Sequence, residues 1–167
     1  MGFSVAGAIG AWFACDGKRE AIAIIGDGGF GLNPQVLQTM RKYKVGVKVF
    51  VLDNHCLGFT KQFQMAKYKK GEACDETRGY YWLNPVMIAE AHGIQAAKIV
   101  GNNRSAISKG IENVLKVEGP VVCDVDCGGF IDYAPRVLGR DPIEDMSPKL
   151  PWEEHVSNMI IEPIKRS

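Results

Sequence analysis

Apolar and polar positions along the chain fall into alternating helical and strand periods. Residues 3–14 (FSVAGAIGAWFA) carry no charge and read as a buried helix, and AIAII at 21–25 reads as a buried strand. Residues 34–43 predict a helix with Val36, Leu37, Met40 and Tyr43 on one face, and GVKVFVL at 46–52 predicts a second strand. The stretch 59–83 is polar, spotted with aromatics and without a clear period. Beyond it, Asn84-Pro85 predicts a helix start running to about His92. AAKIV at 96–100 reads as a short strand. Residues 103–117 read as a helix with Ile107, Ile111, Val114 and Leu115 inward, and GPVVCDVD at 119–126 as the last strand.

Helices alternating with nearly continuous apolar strands predict an α/β fold, a parallel β-sheet with helices on both faces. Ligands of such sheets gather beyond the carboxyl ends of the strands, where Gly26–Gly29 and Asp53–Gly58 fall. Residues 1–133 are expected to form the α/β domain. Residues 134–167, proline-rich and aperiodic until Trp152, are expected to form an extended tail with a short helix.

The chain has 167 residues, 46% of them hydrophobic and 23% charged, enough for one core. Twenty basic and 19 acidic residues give a net charge of +1, with no long run of either sign. A nucleic-acid surface is therefore not expected. Nor is a membrane partner, because the apolar start is interrupted after about 15 residues, short of the ~20 a span requires. Five cysteines (Cys15, Cys56, Cys74, Cys123, Cys127) are scattered without CxxC spacing, which predicts free thiols and a cytoplasmic location. The histidines, His55, His92 and His155, lack metal-ligand spacing.

The turn GDGG at 26–29 is open to two readings, a tight glycine turn or a phosphate cradle. It matches neither GxGxxG nor a Walker loop. Asp27 in its middle would repel a phosphate unless a cation lay between them. A hard divalent cation such as Mg²⁺ takes carboxylate, amide carbonyl and phosphate oxygens. Further oxygen donors, Asp53 and Asn54, stand at the end of the next strand, Asn54 lying 27 positions after Asp27.

A strand ending in Gly-Asp-Gly, then a helix, a strand, an Asn at this distance and a Leu-Gly resembles the diphosphate-binding motif of thiamine-diphosphate enzymes. MGFSVAGAIGA, GDGGFGLNPQVLQTM, VLDNHCLGFTKQFQ, MIAEAHGI and EDMSPKLPWEEH resemble the carboxyl-terminal cofactor domain of the acetolactate synthase large-subunit family.

The resemblance implies thiamine diphosphate and Mg²⁺ as cofactors, with FAD only through a domain this chain lacks. Asp27, the Asn54 side chain and the Cys56 carbonyl would hold the metal. Gly26, Gly28, Gly29 and the Phe30 amide would approach the diphosphate, Asn33 would cap the following helix, and Met1 and Gly2 would meet the aminopyrimidine. Gly58 would also bind the cofactor, and Phe59 would stand near the reacting carbon. Gln62 and Phe63 would line the substrate side, core packing being the alternative for Phe59 and Phe63.

The implied function is 2-oxo-acid decarboxylation and carboligation. The catalytic acid–base glutamate would come from the pyrimidine-binding domain of a neighbouring subunit or separate chain, in a homo-oligomer, and the isolated chain would be inactive. Relative to that family, the chain reads as truncated at its amino terminus. Alternatives are a non-catalytic cofactor-binding or regulatory module, the cofactor subunit of a split 2-oxo-acid decarboxylase, or a different phosphate-binding α/β domain. Asp53 stands where the family more often has Asn. It either adds to the metal shell or caps a turn, and the turn is the favoured reading.

Overall fold

The structure, a computed structural model, describes residues 1–101, 103–137 and 141–166. The chain divides into two compact units, Met1–Ile131 and Asp132–Ser167.

The first unit carries a four-stranded, all-parallel sheet of order β1-β2-β4-β3, built from β1 (Ala21–Gly26), β2 (Val47–Asp53), β3 (Gln95–Ile99) and β4 (Val121–Asp126). Its helices are α1 (Phe3–Ala14), the short α2 (Asp27–Gly31), α3 (Leu37–Tyr43), α4 (Gly58–Tyr68), α5 (Pro85–Ala91) and α6 (Arg104–Leu115).

Right-handed crossovers decide which helix covers which face. The steps β1→β2 and β2→β3 run the same way across the sheet, so α3 and α5 fall on one face, where α1 joins them. There Val5, Ala8 and Ile9 of α1, Leu37 and Met40 of α3 and Ala89 of α5 pack with Ala23, Ile25, Val47, Val49, Val51 and Val122. The return step β3→β4 sends α6 to the other face. Val114 and Ile107 there meet Phe50, Ile99, Val121 and Cys123. Over β1 that second face is open: Ile22 is 54% and Ile24 62% exposed.

Several expectations about the helices need correction. Tyr43 is exposed, edge-on to Phe13 at 5.6 Å between ring centroids, and does not continue the buried stripe of Leu37 and Met40. The segment begins as a 3₁₀ turn, Pro34–Val36, so the α-helical period starts only at Leu37, and it stops at the left-handed Lys44. Asn33 makes no side-chain cap. In α6, Ile111 and Leu115 face outward, and the buried line runs through Ile107 and Val114. Gly110 lies between them. A Cβ there would come within 2.8 Å of Ile99 Cγ1, so a glycine lets α6 approach β3 where a larger residue would hold it off. The caps of α5 and α6 are regular, with Asn84 Oδ1 accepting from Val86 N at 3.0 Å and Asn103 Oδ1 from Ser105 N at 2.9 Å.

The helix α4 lies within the stretch whose sequence shows no period. Its buried residues are Gly58 and Gln62, while Phe59 and Phe63 stand 70% and 57% exposed. An apolar stripe is what periodicity detects, and the inner face of α4 has none.

The second unit holds α7 (Trp152–Asn158), expected from Trp152 onward. Asp145 organises it: Arg166 binds both carboxylate oxygens at 2.8 Å and Lys149 Nζ lies at 3.3 Å. These cations hold the Asp145 carboxyl down to about 2. Leu138 to Arg140, part of the expected tail, lie outside the described residues.

At the opposite end of the sheet from the strand carboxyl ends, Lys48 of β2 is fully buried. Its Nζ donates to Val117 O and, at 2.8 Å, to Gly119 O, and pairs at 2.8 Å with the half-exposed Glu20. It ties the end of α6 to the start of β1. Lys48→Met is expected to lower the unfolding free energy in urea by about 2 kcal/mol, since two carbonyls lose their donor. Glu20→Gln is expected to cost less than about 1 kcal/mol, its partner position being wet. Equal losses would mean that the ion pair, rather than the carbonyl bonds, matters at this site.

Candidate functional site

Parallel register brings the chemistry together. Gly26 pairs with Leu52 and Asp53 with Asp126, so the turns after β1, β2 and β4 leave the sheet at one edge. After β1 the chain passes directly into α2, with Asp27 as its first residue and Gly28, Gly29 and Phe30 in its first turn. The N–H groups of Asp27, Gly28 and Gly29 lack intrahelical partners, whereas Phe30 N faces the carbonyl of the N-cap Gly26. Asp27 is 6% exposed; its Oδ1 accepts from Gly28 N at 2.8 Å and its Oδ2 from Cys56 N at 3.0 Å. One carboxylate thus joins two strand ends 29 residues apart. Each oxygen keeps a second lone pair for a cation.

Burial pushes the Asp27 carboxyl above its ordinary 3.8, opposed by the amide bonds from Gly28 and Cys56 and by His55. The glycines keep the turn compact. A Cβ on Gly28 would come within 2.5 Å of Leu57 Cδ2, and one on Gly29 within 3.0 Å of Ile25 Cγ1. Gly2, left-handed at φ 78°, lies against the same turn, where an added Cβ would be 3.7 Å from Gly29 O. This brings the first residues to the glycine turn, with Met1 fully exposed beside it. Phe30 turns its ring into the core.

After β2, Asn54 is half-buried and its side chain makes no hydrogen bond among the described residues. The Cys56 carbonyl accepts from Gly58 N at 2.8 Å and retains one lone pair. Gln62 is buried on α4 while Phe59 and Phe63 are exposed, so core packing does not account for the two rings. His55 is left-handed at φ 54°, with its ring between Asp53 (Nδ1 to Oδ1 3.6 Å) and Asp126 (Nε2 to Oδ1 3.9 Å). Cys123 is a small core residue, Cys127 is half-buried, and all five thiols are free.

Asp53 is wholly buried and caps the turn, its Oδ1 accepting from His55 N at 2.9 Å. Its Oδ2 accepts from Trp82 Nε1 at 2.6 Å. Burial raises its carboxyl too. Trp82 is a site residue that sequence reasoning missed, and Tyr80, two residues before it, feels the charge of the same carboxylates. Burial, and then the charges of Asp27 and Asp53, push the Tyr80 hydroxyl above its ordinary 10.0. Both come from the aperiodic stretch, and the one signal for them is a buried Asp in need of donors. That stretch is knitted by Asp75, which accepts from Lys61 at 2.8 Å, Thr77 at 2.7 Å and Arg78 at 2.6 Å, so that these partners, Lys61 first, hold its carboxyl below the carboxylate range. Among the described residues no group of three or more His, Cys, Asp or Glu is placed to hold a metal, and no helix is long and apolar enough to cross a membrane.

A parallel α/β sheet whose glycine turn carries a carboxylate bonded to the next strand's end defines a cofactor-binding domain. The chain belongs to the thiamine pyrophosphate enzyme family, matching the model of its C-terminal TPP binding domain over residues 1–125. It is 34% identical over 125 residues to the acetolactate synthase large subunit of Porphyra purpurea, covering 74% of this chain and 20% of that protein. It is 33% identical over 134 residues to the chloroplastic acetolactate synthase of Arabidopsis thaliana, covering 76% and 19%. The chain thus spans about a fifth of the length of these relatives. In fold it is similar to the thiamine diphosphate-dependent 4-hydroxybenzoylformate decarboxylase of Rhodococcus jostii RHA1, with a TM-score of 0.66, 22% identity, and coverage of 80% of this chain and 24% of that one.

The raised Asp27 carboxyl has a stability consequence. An acid whose folded pKa lies above its unfolded value contributes stability below the ordinary 3.8, and this is lost as pH rises through the raised value. In urea unfolding of the metal-free chain between about pH 4 and pH 7, the difference between wild type and Asp27→Asn should move against the wild type as pH rises. A constant difference across that window would show that burial does not govern this carboxyl.

Proposed function

We propose that this chain is the cofactor domain of an acetolactate-synthase-like enzyme, binding thiamine diphosphate through Mg²⁺ for 2-oxo-acid decarboxylation and carboligation. The observation that carries the reading is the Asp27 carboxylate bonded to Cys56 N at 3.0 Å. That bond draws the loop carrying Cys56 to the buried Asp27 carboxylate, and in the same loop the Asn54 side chain makes no hydrogen bond among the described residues. The all-oxygen set of Asp27, Asn54 and the Cys56 carbonyl suits a hard cation, which would cancel the desolvation strain on Asp27 and permit a diphosphate beside it.

In this assignment Asp27, Asn54 and the Cys56 carbonyl hold the metal. The amides of Gly28, Gly29 and Phe30, with Gly26 beside them, approach the diphosphate; Gly29 N is the one left without a partner within the turn, since Gly28 N donates to Asp27 Oδ1 and Phe30 N faces the N-cap Gly26 carbonyl. Met1 and Gly2 border the aminopyrimidine. Gly58 also binds the cofactor, Phe59 lies toward the reacting carbon, and Gln62 and Phe63 face the substrate. When bound, the cofactor would supply a cationic thiazolium ring that takes up the electron pair released as carbon dioxide leaves a 2-oxo acid. The protein's part is to orient and desolvate. The acid–base glutamate is supplied by a pyrimidine-binding domain of a neighbouring subunit or further segment, and the isolated chain is inactive.

The test is Mg²⁺-dependent binding of thiamine diphosphate, measured calorimetrically on the chain alone and mixed with a pyrimidine-binding domain. Binding in at least one case is expected, and none in either would refute the reading. Asp27→Ala should abolish binding, while Asp53→Ala should only weaken it. Equal effects would show that the ligands are wrongly assigned.

A further inference from the structure

The carboxylate of Asp53 is buried where no substrate or metal role is needed to account for it, yet both its oxygens are engaged by groups of the cofactor loop and its surroundings. His55 N binds Oδ1 at 2.9 Å and Trp82 Nε1 binds Oδ2 at 2.6 Å. Its own carbonyl accepts from Cys127 N at 2.7 Å, which ties the end of β4 to the same point. The first bond closes the turn in which His55 adopts φ 54°. For a residue with a Cβ this conformation is unfavourable, so it persists only where neighbours enforce it.

Trp82 is the outer neighbour. Its ring lies against His55, with centroids 4.8 Å apart and planes tilted by 59°. The segment leading to it also grips the loop through an antiparallel bridge between Cys56 and Asp75, in which Leu57 N donates to Cys74 O at 2.8 Å. Residues 54–57 are therefore held on the sheet side by Asp27 through Cys56 N, and on the outer side by the segment from Cys74 to Trp82.

Resting on the metal reading above, we propose that Asp53 and Trp82 are positioning residues. Their hydrogen bond sets the His55 turn, and so the direction of the Asn54 amide and the Cys56 carbonyl toward the cation. Neither residue touches the metal. This gives the Asp at position 53 a role apart from the metal shell: a second acceptor oxygen, which an Asn lacks, serves the indole N–H while the first holds the turn.

The test uses the full chain, with the pyrimidine-binding domain present if binding requires it. Trp82→Phe keeps a ring against His55 and removes the N–H, and Asp53→Asn keeps one acceptor. Two quantities are read: hydrogen exchange at the His55 and Leu57 amides in the metal-free chain, and the Mg²⁺ affinity at fixed thiamine diphosphate. Each variant should exchange faster at both amides and bind Mg²⁺ about tenfold more weakly, as loss of a ligand-orienting group typically does. The double variant should be no weaker than the worse single one, because both changes break the same bond.

Unchanged exchange overturns the proposal. So does faster exchange with unchanged Mg²⁺ affinity, which would leave the bond a purely structural contact, and so does strict additivity in the double variant. A wild-type chain that takes up no Mg²⁺ refutes the metal reading and the proposal with it. That outcome is told apart because the exchange rates still respond to Trp82→Phe.

Discussion

Parallel, in-register pairing of β1, β2 and β4 is the constraint on which the rest of the molecule depends. Parallel strands cannot be joined by tight turns, so each connection must carry a helix back across a face. All the strand carboxyl ends then open at one edge. With Gly26 opposite Leu52 and Asp53 opposite Asp126, that edge gathers a glycine turn, an Asp-Asn-His turn and the aspartates of β4. The helices follow from the same geometry: two forward crossovers put α3 and α5 on one side, and one return puts α6 on the other.

The edge so formed is electrostatically costly. Asp27 and Asp53 are both buried carboxylates with raised pKa values, and neither has a cationic side chain as its main partner. Backbone amides and an indole N–H offset part of the desolvation, which a buried charge otherwise leaves uncompensated. Asp124 differs, since Lys98 Nζ lies 3.0 Å from it across the β3–β4 pair. At the other end of the sheet Lys48 satisfies two backbone carbonyls and pairs with Glu20. Buried charge at the two ends is thus met differently, by an ion pair and carbonyl bonds at one end and mainly by backbone amides and an indole N–H at the other.

Much of the fold was legible in the residues. The strands at 21–25 and 46–52 and the capped starts of α5 and α6 rest on local signals: apolar runs, β-branched residues and Asn at the cap. The long-range link from Asp27 to the turn after Asp53 was legible because a carboxylate in a glycine turn makes little sense without a cation and further oxygen donors. The errors share a cause. Tyr43, Ile111 and Leu115 sit at correct helical spacings, but a 3₁₀ turn before Leu37 and the close approach at Gly110 rotate or shift the face that meets the sheet. Helix α4 was missed because its inner residues are glycine and glutamine, and its aromatics face out.

The sequence by itself determined the period of each element, the α/β class and the pair of motifs that meet at the sheet edge, because propensity, capping and turn chemistry act within a few residues. Only the tertiary structure decided that Trp82 reaches Asp53 and that β1 keeps one face open. Those outcomes depend on where an aperiodic segment folds back and on which side each crossover falls. No local period encodes either, since both are settled by distant groups competing for the same buried donors, acceptors and space.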